Sequence, residues 1–185
     1  MYILASQSPR RKQLFLEDIS SDFVIEIADI DERVEEGISP IQYVREMAYR
    51  KGEVIFKNHR EDIVISADTI VVFNDIILGK PADKEDAYRI LKILSNNVHQ
   101  VITSYCIFSK DKVIQKEVIS EVIFNELDDD LINRYIESGS PLDKAGAYGI
   151  QDGEKFPIVK EYKGSYKNIV GFPTESIIED LKSEL

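Results

Sequence analysis

Cysteine is nearly missing from these 185 residues, and positive charge is in short supply. The single cysteine, Cys106, excludes an internal disulfide and lies in an apolar run, which reads as a buried, inert thiol suited to a reducing compartment. No apolar run approaches the length of a membrane span, and Met1–Ala5 has no basic flank and no room for a signal-peptide core. A cytoplasmic location is the expectation. Repeats, low-complexity tracts and flexible linkers are also missing, so residues 1–185 read as a single domain. Twenty-three cations against 34 anions give a net charge of -11, which repels polymeric nucleic acid and anionic membranes. A small polyanionic ligand on such a chain needs Lys, Arg and a divalent cation gathered locally.

What is present begins with Ala5-Ser6-Gln7-Ser8-Pro9-Arg10-Arg11-Lys12. Ser8 is a good N-cap and Pro9 a good first helical residue. Three cations then occupy the first turn, where the helix dipole favours carboxylates by about 0.3–1 kcal/mol. Either an anion such as a phosphate belongs there or the turn is a solvated basic one.

Strand and helix signals alternate along the chain, which points to an α/β architecture. Strands are expected at Tyr2–Ala5, Phe23–Ile27, Ile63–Phe73, Ile76–Leu78, Val98–Phe108 and Val113–Phe124, the last pair turning at Asp111-Lys112. Helices are expected after Ser8, from Ser39-Pro40 to about Lys57, from Asp83 to Leu94, from Asp128 to Ser138, and at the C-terminus with Ile177, Ile178 and Leu181 inward. In the second of these, Ile41, Val44, Ala48 and Ile55 form an apolar stripe that also contains Lys51. That lysine either snorkels from the edge of the core or reaches for an anion.

Asp68 is the most anomalous residue. It stands in Ser66-Ala67-Asp68-Thr69, which is expected to interrupt the apolar Ile63–Phe73 strand, and its desolvation demands a cation, a metal or several donors, unless it caps a nearby loop. His99 has no accompanying serine or cysteine motif and reads as a hydrogen-bonded structural histidine. Asp143–Gln151 combines small residues and glycines into a loop built for close backbone approach, and Gly164–Pro173 is a second glycine-punctuated segment.

Together, the Leu4–Arg11 start, Ser66-Ala67-Asp68-Thr69-Ile70-Val71, Ile77-Leu78-Gly79-Lys80-Pro81, the Asp143–Gln151 loop and Gly164–Pro173 resemble, in order and spacing, the Maf family of nucleoside triphosphate pyrophosphatases. The resemblance implies an elongated mixed β-sheet flanked by helices, with two lobes around a cleft, similar to the inosine triphosphate pyrophosphatases. It implies attack of water on the α-phosphate of a nucleoside triphosphate, with Mg²⁺ or Mn²⁺ as cofactor. On that reading Ser8, Arg10 and Arg11 receive phosphates, Lys51 and Lys80 neutralise charge, and Asp68 is the general base or a metal ligand. Glu32 is either a second metal or water contact or a solvated loop charge. A homodimer is also implied.

Within that resemblance, Arg10, Thr69 and Gln151 match the branch acting on dTTP and UTP. The branch acting on 7-methyl-GTP carries an aromatic, Gln and Glu at these places, and a role in septum formation is a further alternative for the family. An amide at Gln151 suits the donor and acceptor edge of a uracil-type base. Two features depart from the family pattern: Ser95-Asn96-Asn97-Val98-His99 at the hairpin entry, and Asp152-Gly153 where a direct Gln-Gly step is expected.

Overall fold

Strand β1 (Tyr2–Ala5) starts the chain in a computed structural model that describes residues 1–184. Helix α1 (Pro9–Asp18) follows, and then strand β2 (Phe23–Ile25), helix α2 (Pro40–Phe56), strand β3 (Ile63–Phe73) and the short β4 (Ile76–Leu78). Helix α3 (Lys84–Leu94) leads to β5 (Val98–Ser109) and β6 (Lys112–Phe124). Helix α4 (Asp129–Glu137), strand β7 (Val159–Lys163) and helices α5 (Tyr166–Val170) and α6 (Thr174–Glu184) complete the order. The strands form a seven-stranded sheet in the order β2-β1-β3-β5-β6-β7, with β4 on β3. β1 is parallel to both β2 and β3, whereas β3–β4 and β6–β7 are antiparallel, which makes the sheet mixed. None of the helices among the described residues is long and apolar enough to cross a membrane.

The chain divides into two compact units. Met1–Thr69, Thr103–Val118 and the segment from Gly171 onward form the first, and Ile70–Ile102 with Ile119–Val170 form the second. In the first unit the pleat of β1, β3 and β5 sorts side chains onto two buried faces. Leu4, Ile65, Ala67, Tyr105 and Ile107 pack with Phe15 of α1 and with Phe172, Ile177 and Leu181. Ile3, Ala5, Val64, Cys106 and Phe108 pack with Ala48, Ile55 and Phe56 of α2. Burial on both faces is why these strands read as continuous apolar runs rather than alternating ones. The second unit has its own core, in which Val71, Ile90, Leu91, Leu94, Phe124, Ile132, Tyr135 and Tyr148 meet.

Most expected elements are present, and the differences have local causes. β3 runs unbroken through Ser66–Thr69, because neighbouring strands satisfy its backbone whatever the polarity of its side chains. Asn74 (φ 49°) and Asp75 (φ 61°) make the tight turn into β4. The second hairpin turns at Lys110-Asp111, one residue earlier than expected, and β2 stops at Ile25. Ile41 is 41% exposed, since it sits in the first turn of α2, beyond the sheet-facing stripe, and Ile178 is only half-buried. β7 and α5 were not expected: β7 is an edge strand with charged, exposed side chains, and α5 is barely more than one turn. Cys106 is fully buried, and burial pushes its thiol up to about 12.

Close approach of α2 to the sheet depends on Gly52. A Cβ there would stand 2.2 Å from Phe108 Cε2 and 2.5 Å from Ser66 Oγ. Ser66 Oγ uses this proximity to donate a hydrogen bond to the Ala48 carbonyl at 2.7 Å. Gly52→Ala is therefore expected to lower unfolding stability by about 1–3 kcal/mol through overpacking, despite alanine's better helix propensity, as read by urea denaturation.

Candidate active site

The pleat that divides the cores also divides the polar residues of β3. Val64, Ser66 and Asp68 alternate toward α2, while Ile65, Ala67 and Thr69 face α1. Asp68 meets Lys51, whose Nζ donates to Oδ1 at 2.6 Å, with side-chain exposures of 16% and 21%. Lys51 Nζ also lies 3.9 Å from Glu32 Oε1, which is far more exposed. So Lys51 neither snorkels into water nor waits for a partner: it is the cation that the buried carboxylate requires. Among the described residues no protein donor reaches Asp68 Oδ2, which remains able to accept from a water.

Glu32 sits in a loop held from α2. Arg50 Nη1 donates to the carbonyls of Asp31 at 2.9 Å and of Arg33 at 2.8 Å, the two residues flanking Glu32. Arg33 closes the same loop onto the Asp31 carboxylate, holding that carboxyl below its usual range. Tyr43, on the same helix, has its phenol raised by burial and further by the charges of Asp68 and Glu32, so it belongs to this neighbourhood. Neither Tyr43 nor Arg50 stood out in the sequence. For Tyr43 the only signal is helical spacing, eight positions before Lys51, and Arg50, one position before it, has none.

On the other side of β3, Arg11 acts as a strut. Its Nε donates to Gly171 O at 2.8 Å, Nη1 to Ala67 O at 2.9 Å and to Ser6 Oγ at 3.4 Å, and Nη2 to Thr69 Oγ1 at 3.0 Å. Burial pushes the guanidinium's pKa down, Asp68 pushes it back up and Arg10 lowers it again. Thr69 Oγ1 is also hydrogen-bonded to Thr103 Oγ1 at 2.8 Å and donates to Gly171 O at 3.2 Å. Ser8 caps α1 as expected, accepting from Arg11 N–H at 3.4 Å, a long bond. Arg10 is half-buried in the first turn, beside Arg11.

Ser8, Arg10, Arg11, Glu32, Lys51, Asp68 and Thr69 all belong to the first unit, which brings Glu32, Lys51 and Asp68 into one group and Arg11 and Thr69 into another. Lys80 and Gln151 belong to the second unit. Lys80 is exposed in the turn after β4. Gln151 is exposed within three consecutive 3-10 turns, Ser140–Asp143, Ala145–Ala147 and Ile150–Asp152. The expected close backbone approach in this loop is at Gly146 (φ 71°), where a Cβ would lie 2.8 Å from Val71 Cγ2 and the N–H donates to Gly79 O at 3.1 Å.

His99 is 2% exposed, and its Nε2 is hydrogen-bonded to Tyr148 Oη at 2.7 Å, as a structural histidine should be. Burial lowers its pKa from 6.5 to about 4.

In chemical terms the first unit offers a strand-borne carboxylate paired with lysine and a Ser-capped helix start that carries two arginines. A profile described as Maf-like protein matches residues 1–184, and the chain belongs to the Maf family. A protein of Alkaliphilus oremlandii named dTTP/UTP pyrophosphatase is 45% identical over 92% of this chain and 89% of its own length. One of the same name from Fusobacterium nucleatum is 41% identical over 97% of this chain and 93% of its own length. Among solved structures, the Ham1 protein of Staphylococcus aureus is similar over 100% of this chain and 99% of its own, with a TM-score of 0.56 at 11% identity, a likeness of fold.

Two expectations follow. Arg11→Lys keeps the charge but cannot span the carbonyls of Gly171 and Ala67 together with Thr69, so stability should fall by about 2 kcal/mol in urea titrations. Because His99 binds its proton less readily folded than unfolded, the unfolded chain takes up more protons between pH 6.5 and 4, and stability falls with pH across that window. Replacing His99 with Gln should remove about 3 kcal/mol of that acid dependence, measured as the difference between the two stability–pH curves.

Proposed function

We propose that the protein is a nucleoside triphosphate pyrophosphatase that hydrolyses dTTP and UTP, and modified pyrimidine triphosphates, to the monophosphate and pyrophosphate. The observation that carries this reading is the Asp68–Lys51 pair at 2.6 Å, a mostly buried carboxylate whose second oxygen is left for a water. The names borne by full-length relatives at 45% and 41% identity support the substrate class.

In this proposal Asp68 Oδ2 accepts a proton from the attacking water and holds it in line with the α-phosphate, while Lys51 anchors Oδ1 and keeps the carboxylate oriented. Ser8 and the α1 N-terminus receive phosphate oxygens, with Arg10 beside them. Lys80 neutralises charge on the triphosphate, and Gln151 pairs with the pyrimidine edge; both roles rest on the family resemblance. Arg11 acts mainly by fixing Ala67 and Thr69 on either side of Asp68.

A divalent cation suits this donor set. Asp68 and Glu32 offer hard carboxylate oxygens around one lysine, and Mg²⁺ characteristically takes one or two carboxylates and completes its shell with water and substrate phosphates. When bound, Mg²⁺ or Mn²⁺ would withdraw charge from the triphosphate and acidify water. Work in the cytoplasm as a homodimer completes the reading.

Purified protein with Mg²⁺ or Mn²⁺ should release pyrophosphate from dTTP and UTP faster than from CTP or 7-methyl-GTP. Asp68→Asn should cut turnover by at least about 100-fold while leaving nucleotide binding nearly intact. Undiminished turnover in that variant would remove Asp68 as the base, and a preference for 7-methyl-GTP would move the protein to another substrate.

A further inference from the structure

Asp152, which stands where the family pattern has glycine, forms the centre of a hydrogen-bonded strap around Gln151. Its Oδ2 accepts from Tyr135 Oη at 2.7 Å and from Ser140 Oγ at 2.6 Å. Tyr135 Oη in turn accepts from the Gly149 backbone N–H at 2.9 Å. Lys144 Nζ donates to Ser140 O at 2.6 Å and Ser140 Oγ at 3.1 Å, tying the start of the loop to the same group. The residue two before Gln151 and the residue one after it are thus joined through one phenol.

The amide of Gln151 lies against the bare face of Gly149. A Cβ on Gly149 would stand 2.9 Å from Gln151 Nε2, 3.0 Å from Gln151 Cδ and 2.9 Å from Lys144 Cε. The position of the Gly149 backbone therefore bounds where the Gln151 amide rests, and the Tyr135–Asp152 bond fixes that backbone. Tyr135 is fully buried and packs against Phe156 with ring centroids 4.9 Å apart and planes tilted by 43°, which keeps the phenol in place. Burial, and then Asp152, raise its pKa, so it stays a proton donor. Without a carboxylate at 152 its proton would be left without this acceptor in a largely desolvated place.

We propose that Asp152, acting through Tyr135 and Ser140, is a positioning residue that holds the Gln151 amide for the pyrimidine edge and so sets base selectivity. The proposal rests on the reading of Gln151 as the base-contacting residue of a pyrimidine triphosphate pyrophosphatase. It adds a residue outside the family motif. A fixed amide can discriminate donor and acceptor edges because a mismatched base leaves its polar groups unpaired, whereas a mobile amide can turn to suit either.

The test is steady-state kinetics of wild type, Asp152→Ala, Asp152→Asn, Tyr135→Phe, Gln151→Ala and the Asp152→Ala/Gln151→Ala double variant on dTTP, UTP, CTP and 7-methyl-GTP. Asp152→Ala should raise KM for dTTP about tenfold, the loss of one charge-assisted hydrogen bond, with kcat within about twofold of wild type. The preference for dTTP over CTP and 7-methyl-GTP should shrink by a similar factor. Asp152→Asn, which keeps an accepting oxygen, should fall between, and Tyr135→Phe should match Asp152→Ala. In the Gln151→Ala background Asp152→Ala should cost nothing further. Unchanged selectivity in Asp152→Ala, or an equal additional loss in the double variant, overturns the proposal. Should wild type release no pyrophosphate from any of the four, the proposed function fails instead. Hydrogen exchange at the Gly149 amide then decides the positioning by itself: faster exchange in Asp152→Ala and Tyr135→Phe upholds it, and unchanged exchange overturns it.

Discussion

A carboxylate set in a strand buried on both faces dictates most of the first unit. At 16% exposure Asp68 has little hydration and needs a cation close by. Lys51 can do so only if α2 lies hard against β3, and this requires the missing side chain of Gly52 and the Ser66–Ala48 hydrogen bond. The pair is therefore a constraint on packing as much as on chemistry. Removing either member strands a charge, a cost of about 3–5 kcal/mol, so the surrounding core and the ion pair stabilise one another.

Two arginines act in parallel ways on the backbone around the acids. Arg11 grips the carbonyl of Ala67 and the hydroxyl of Thr69, the residues on either side of Asp68, from the opposite face. Arg50 grips the carbonyls on either side of Glu32. In both cases a guanidinium fixes the backbone flanking an acid rather than pairing with the acid itself. The positive charge of each guanidinium stays near the acid without occupying its oxygens, and among the described residues Asp68 Oδ1 is taken by Lys51 alone.

Legibility in the sequence follows the same division. β1, β3, β4, α2 and α3 were readable because local caps and turns agree with their apolar patterns: the Ser39 capping box, the Asn74-Asp75 turn and the Asp83 cap each mark one boundary. Asp68 and Lys51 were visible as polar residues where apolar ones belong. That they belong to each other was not visible, since 17 residues separate them and only the pleat direction of β3 selects α2 over α1. The charge of Arg11 is local information, whereas its acceptors on Ala67, Thr69 and Gly171 are 56, 58 and 160 residues away and so were not legible. β7 and α5 escaped because an exposed charged edge strand and a five-residue helix carry almost no periodic signal.

Asp68 and Gln151 are held by different physics, and this has a consequence for how the two can change. Asp68 is fixed by a strand in register with β1 and by two cores, so a substitution that moves it also unpacks the fold. Gln151 rides on short 3-10 turns whose geometry depends on a few side-chain hydrogen bonds through Tyr135, Ser140 and Asp152. A single change among those three alters the loop at the cost of one or two hydrogen bonds, roughly 1–3 kcal/mol each, and leaves the ion pair on β3 intact. On the proposed function, hydrolysis and base choice would rest on scaffolds of unequal stiffness. The departure at Asp152-Gly153 falls on the softer of the two, where a substitution alters the 3-10 turns and leaves the Asp68–Lys51 pair in place.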